Sequence, residues 1–286
     1  MGTVSLLLKR CVFAFCLFFS FPTESGPRIE PPVPTAQFSY LGFEFRPGRP
    51  CDNGWIDKSW CEATQPKDWK AFEIEKIKTG FDSFARALPY FVLQVQANGF
   101  RDLYRYTRSF VLLPTGSYAP LTSHGAWVWN WDMSINFGDG MFGFGGVPFF
   151  YEENPALDVH RIALLHEFAH AYATGPREQG LRDQFLQQVV GWKKSETGQW
   201  QLRNFNMNEI KYEMSLVREL ASTGKFLAAL RLNREYGLKH GFPTLYSMTN
   251  PDECFSEMVS FSYFDITAEK YLGSQIVSWI KTIILR

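Results

Sequence analysis

Residues 162–174 read Ile-Ala-Leu-Leu-His-Glu-Phe-Ala-His-Ala-Tyr-Ala-Thr and contain His166-Glu167-x-x-His170. On a helix this spacing sets two imidazoles one turn apart on one face, where both can bind a single zinc ion at roughly 2.0–2.1 Å. Glu167 follows the first histidine, where a carboxylate can take a proton from a metal-bound water. The flanking sequence favours a helix: Asn154 suits an N-cap, Pro155 the first helical position, and Gly175-Pro176 a stop. Between them, Leu157, Ile162, Leu165, Phe168 and Ala169 make a largely apolar segment, as in a helix running through a core. The same five-residue motif occurs in chains that are not peptidases, so a third ligand decides its meaning.

Catalytic zinc usually has three protein ligands and one open position. Downstream candidates are His240, Asp252, Glu253, Glu257 and Asp265. Asn250-Pro251 repeats the Asn154-Pro155 pair, so a second helix should begin near Pro251, with Glu253 and Glu257 one turn apart on one face. One can bind the metal while the other steadies a ligand histidine from behind. Glu253 also falls where a glutamate commonly closes a capping box; in that role it would leave Glu257 as the ligand.

Taken together, His166-Glu167-Phe-Ala-His170 and Tyr246-Ser-Met-Thr-Asn-Pro-Asp-Glu253-Cys-Phe-Ser-Glu257 resemble the catalytic domain of the anthrax lethal factor-like zinc peptidases. The family pattern Glu-Phe-Phe-Ala-Glu departs here at Cys254 and Ser256, both small enough to keep the helix plausible. The resemblance covers roughly residues 67–286 in layout, although only the two motifs are specific. It implies His166, His170 and Glu253 as zinc ligands, one ion per chain, and Glu167 as general base. It further implies Tyr246 as the oxyanion hydrogen-bond donor and Glu257 as the second acid of the pattern.

The rest of the chain sets the context. Twenty-nine basic residues balance 29 acidic ones, so no net field favours nucleic acid or an anionic membrane. A hydrophobic content of 45% over 286 residues is ample for one sizeable core. Lys9-Arg10 followed by apolar Cys11 to Phe21 reads as a cleavable signal peptide, residues 1–26, too short to span a membrane. Residues 27–66, rich in proline, read as an arm containing a Cys51–Cys61 disulfide loop, with Cys254 left buried and free.

Helices are expected over Asp68–Ala87, Asn206–Arg231 and Ala268–Leu285, with strands at Arg105–Leu113 and across Trp127–Phe137, where apolar and polar residues alternate strictly. Pro89 should end or kink the first helix, and Glu178–Trp200 reads as helix then loop. Gly138–Gly146 is glycine-rich without the lysine of a phosphate loop.

The expectation is an α+β, zincin-like domain over 67–286, with a small twisted sheet above the active-site helix and a helical lower half. The expected activity is that of a secreted zinc metalloendopeptidase, extracellular or periplasmic, acting on a peptide or protein substrate. Two alternatives share the motifs: a zinc amidase for a non-peptide or cell-wall amide, and a secreted partner-binding protein that retains the site.

Overall fold

The computed structural model describes residues 38–49, 65–106, 109–112, 118–121, 126–130, 132–142, 157–223 and 225–285. The signal segment, Cys51, Cys61, Asn154, Pro155 and most of the glycine-rich stretch lie outside these residues. The architecture is mixed α+β, and among the described residues no helix is long and apolar enough to cross a membrane.

Strands β1 (Phe38–Tyr40) and β2 (Phe43–Pro47) form a hairpin through Leu41 and Gly42, whose φ angles of 51° and 80° suit a tight turn. This segment, read from sequence as part of an arm, belongs to the main sheet. With β3 (Asp102–Arg105), β6 (Ala126–Trp129) and β7 (Ser134–Phe137) it makes five strands in the order β1-β2-β3-β7-β6. The β2–β3 and β3–β7 pairs are parallel and the outer pairs antiparallel. Strand β7 is buried at all four positions, and β6 lies at the sheet edge.

The alternation over 127–137 is therefore two strands, not one. Trp129 pairs with Ser134, and the chain reverses at residues 130–133, with Met133 at φ 53°. Asn130 and Asp132 are the turn formers that alternation masked; Ser134 Oγ donates to Asp132 Oδ1 at 2.6 Å. Arg105–Leu113 likewise divides between β3 and a separate strand β4 (Ser109–Leu112), which pairs with β5 (Tyr118–Leu121).

Helix α1 (Ala71–Asp82) is shorter than the expected span, and Pro89 opens α2 (Pro89–Ala97) at its first position. The motif helix, α3, runs Val159–Tyr172, with Asp158 as N-cap accepting from the His160 amide at 3.0 Å. That replaces the expected cap at Asn154. Gly175 does not stop α3; it caps α4 (Pro176–Phe185), with Pro176 at the first position.

The expected loop after α4 holds a π-helical turn at Leu186–Val190 and a hairpin, β8 (Trp192–Lys194) with β9 (Trp200–Leu202). The long helix expected over 206–231 is two, α5 (Met207–Ser222) and α6 (Phe226–Lys239), separated at the Ser-Thr-Gly-Lys segment. After α7 (Pro251–Phe264), the closing helix is also divided: α8 (Ala268–Leu272) and α9 (Ser274–Trp279) meet at Gly273, whose φ is 84°. An L-residue disfavours that angle, so one glycine overrides the helical period.

Helix α3 is buried along nearly its whole length. Phe168, between the two motif histidines, packs against Phe43, Phe81 and Phe84 with ring centroids 5.1, 4.9 and 5.7 Å away. Gly80 lets α1 approach, since a Cβ there would lie 2.7 Å from Leu164 Cδ2. At the other end Asn98 Nδ2 donates to the carbonyls of Ala171 and Tyr172 at 3.1 and 2.8 Å, satisfying last-turn acceptors. Phe168 thus points into the α1 side of the core, and the histidines, about 160–200° round the helix from it, face α7.

Candidate metal centre

Helix α7 begins where the Asn-Pro pair predicts. Asn250 Oδ1 accepts from the Glu253 amide at 2.9 Å, and Pro251 occupies the first turn. The cap uses the backbone of Glu253; its side chain turns inward to α3. Glu253 Oε2 lies 3.0 Å from His166 Nε2 and 3.3 Å from His170 Nε2, and the two Nε2 atoms are 2.9 Å apart. The residues suggested by sequence as ligands therefore converge on one point, fully buried except for 6% of His170.

Glu257, one turn further along α7, stands behind this cluster: its Oε1 is 3.3 Å from His166 Nδ1, close but off the hydrogen-bond axis. Its other oxygen accepts from Thr244 Oγ1 at 3.0 Å. Tyr246 stands on the 3₁₀ turn Tyr246–Met248 leading into α7, half-buried against the core. The other candidates go elsewhere. Asp252 pairs with Arg182, Asp265 with Arg234, and His240 with Glu213. His160 faces Asp158.

The residues present fit a divalent metal. A tetrahedral ion with bonds of roughly 2.0–2.1 Å sets its ligands about 3.3 Å apart, close to the three separations observed. Two imidazoles and a carboxylate are a common catalytic zinc set. The Glu257 carboxylate stands 3.3 Å from His166 Nδ1, on the side of the ring away from Nε2, which faces the Glu253 carboxylate. A shared proton or a metal cation between His166 Nε2 and Glu253 Oε2 would satisfy both. Among the described residues, Glu253 Oε1 and both oxygens of Glu167 are buried with no hydrogen-bond partner, an uncommon state for carboxylates.

The electrostatics agree. Burial disfavours charge on His166, yet Glu253 and Glu257 outweigh it and hold its pKa well above the ordinary value. Burial also opposes ionisation of Glu253, but His170 and His166 draw its pKa down to about 2. At Glu167 burial outweighs the pull of the same two histidines and pushes its carboxyl up to about 7.

A cleft of about 1030 Å³ opens beside His170. One wall is edge strand β6 at Val128, with Asn130 and Met133 of the following turn; the other is the β8–β9 hairpin. Lys194 pairs with Trp200 across the hairpin, its Nζ 5.3 Å from the ring centroid, and both line the cleft. Arg182, also in the wall, is neutralised by Asp252 and by Asp183 at 2.7 Å; Lys194 lies 3.7 Å from Asp183. Sequence reading missed this hairpin, although Trp-Lys-Lys-Ser-Glu-Thr-Gly-Gln-Trp carries its signal: two alternating arms about a Thr-Gly turn.

Comparisons with protein-family models, curated proteins and solved structures find no match for this chain.

Proposed function

We propose that this chain is a secreted zinc-dependent endopeptidase of zincin type, similar in its catalytic residues to the anthrax lethal factor-like peptidases. The observation that carries the reading is the convergence of His166, His170 and Glu253 on one point beside an open cleft. Glu167, next to the first ligand with both oxygens unpartnered, strengthens it. The apolar N-terminal run behind Lys9-Arg10 supports export.

In this reading His166, His170 and Glu253 hold the ion. Bound there, zinc supplies Lewis acidity, polarising the scissile carbonyl and making water a nucleophile at neutral pH. Glu167 takes the proton from the attacking water and delivers it to the leaving amine. Glu257 orients His166 through Nδ1. Tyr246 donates a hydrogen bond to the developing oxyanion, an assignment that comes from the resemblance. Among the described residues no strand pairs with the outer side of β6, whose backbone donors and acceptors would suit an extended peptide that the cleft has room to receive.

The test is cleavage of a peptide library by the mature protein beside Glu167→Gln, with zinc content measured for both. Wild type should cut, and the variant should lose about 10²–10⁴-fold in rate while retaining its zinc. Equal rates would refute the assignment of Glu167. Zinc-loaded wild type that cuts no peptide would favour the amidase or partner-binding alternatives.

A further inference from the structure

We propose that Thr244 is a positioning residue for the metal centre: through Glu257 it fixes the ring of His166, from a turn clamped by helix α6. The proposal rests on the reading of His166, His170 and Glu253 as a metal site.

Thr244 lies between α6 and α7 and is fully buried. Its hydroxyl donates to Glu257 Oε2 at 3.0 Å and accepts from the Ser247 amide at 3.3 Å. Glu257 is 4% exposed, so its carboxylate depends on protein donors. One of its oxygens is held by Thr244 and the other faces His166 Nδ1. Without the threonine this carboxylate could rotate, which would shift the charge that stands 3.3 Å from His166 Nδ1 and loosen the direction in which Nε2 is presented.

Thr244 is itself held from α6. Asn233 accepts from Leu245 N with its backbone oxygen at 2.8 Å and from Tyr246 N with its side-chain oxygen at 3.0 Å. Arg234 donates to the Pro243 carbonyl at 2.6 Å. Gly237 completes the clamp, because a Cβ there would collide with the Thr244 backbone. Three residues of one helix therefore set a turn that carries both Thr244 and, two positions on, Tyr246. A helix that supplies none of the three metal-binding side chains governs how one of them is presented.

The experiment measures zinc affinity of the full mature chain by competition with a chromophoric chelator, with no substrate present. Thr244→Val keeps the shape and removes the hydroxyl; zinc should bind about 10–100-fold more weakly. Thr244→Ser, which keeps the hydroxyl, should restore near wild-type affinity. In cobalt-loaded protein the visible bands should shift in the valine variant and not in the serine one. In a Glu257→Leu background, Thr244→Val should add no further loss, since the threonine acts through that carboxylate.

Unchanged affinity in Thr244→Val, or additive losses in the double variant, would overturn the proposal and leave the peptidase reading standing. Wild type that binds no zinc would remove both. Zinc binding without peptide cleavage would remove only the peptidase reading. If Thr244→Val does not fold, zinc-loaded wild type carries the test by NMR. A slowly exchanging Thr244 hydroxyl proton supports the hydrogen bond, and rapid exchange refutes it.

Discussion

Among the described residues, two groups of histidine and glutamate bring three ligand atoms within 4.8 Å of one another, and they are built on opposite principles. At His166, His170 and Glu253 the side chains are buried and among them is no lysine or arginine. At Glu209, Glu213 and His240, Lys239 Nζ sits 2.9 Å from one glutamate and 2.7 Å from the other, and His240 Nε2 lies 2.7 Å from Glu213. The second group contains its own cation. Burial acts against the charge on Glu213, and Lys239 and His240 overcome it, so its pKa falls below the usual range. Proximity of ligating atoms is common to both groups; among the described residues, a lysine is inserted between the carboxylates only in the second.

The sharpest way to break this comparison is to remove one ligand from each group. Glu253→Ala should abolish zinc binding, seen as metal content falling from one ion per chain to none after gel filtration. Glu213→Gln should leave it at one. Loss of zinc in the second variant alone would invert the assignment.

A third cluster, Arg234 with Asp265, extends the lesson to stability. The pair is buried, with Arg234 NH2 2.6 Å from Asp265 Oδ2, and Thr267 and Tyr271 also donate to Asp265. Arg234→Met would strand a buried carboxylate, and urea unfolding should show a loss of about 3–5 kcal/mol. A loss below ~1 kcal/mol would mean the carboxylate finds another partner, because surface pairs have that value.

The same aspartate gives a pH signature. Burial raises its pKa, but bonds from Thr267 and Tyr271 and the nearby Arg234 leave it depressed overall. Its contribution to stability is therefore complete above the unfolded value of about 3.9 and disappears as pH falls through the lower folded value. The stability gap between wild type and Asp265→Asn should narrow below about pH 4, and a gap that stays constant would contradict the depressed pKa.

The smallest expected effect is also the most direct conversion. Lys239→Met removes the built-in cation from the second group, which should then take up a second, weaker zinc, measurable by titration calorimetry. No added uptake would show that burial, not the missing cation, separates the two clusters.

Much of the first cluster was legible in the sequence because helical spacing alone sets it. Four-residue intervals place His166 over His170 and Glu253 over Glu257, and an Asn-Pro start fixes where α7 begins. What sequence could not supply was the pairing of α3 with α7, which depends on Phe168 turning to the α1 side. Errors elsewhere came from period outrunning punctuation. Alternation at 127–137 continues in the sequence through a turn, although the register switches faces there, with Trp129 opposite Ser134 and Val128 opposite Ile135. Helical periods at 206–231 and 268–285 likewise ran across Gly-containing breaks that ended the helices. The tryptophans of β8 and β9 were passed over because their strands are only three residues long.

For a cleft that receives peptides, as proposed, the paired charges in its wall bear on how quickly a peptide would arrive. Arg182 and Lys194 are each matched by Asp183 or Asp252, so the opening projects little field beyond a Debye length of about 8 Å in physiological salt. Capture then depends on diffusion and fit, without long-range attraction. The association rate for a peptide of either charge should change little between low and high salt, and its ceiling is the ordinary unsteered range of about 10⁵–10⁶ M⁻¹s⁻¹.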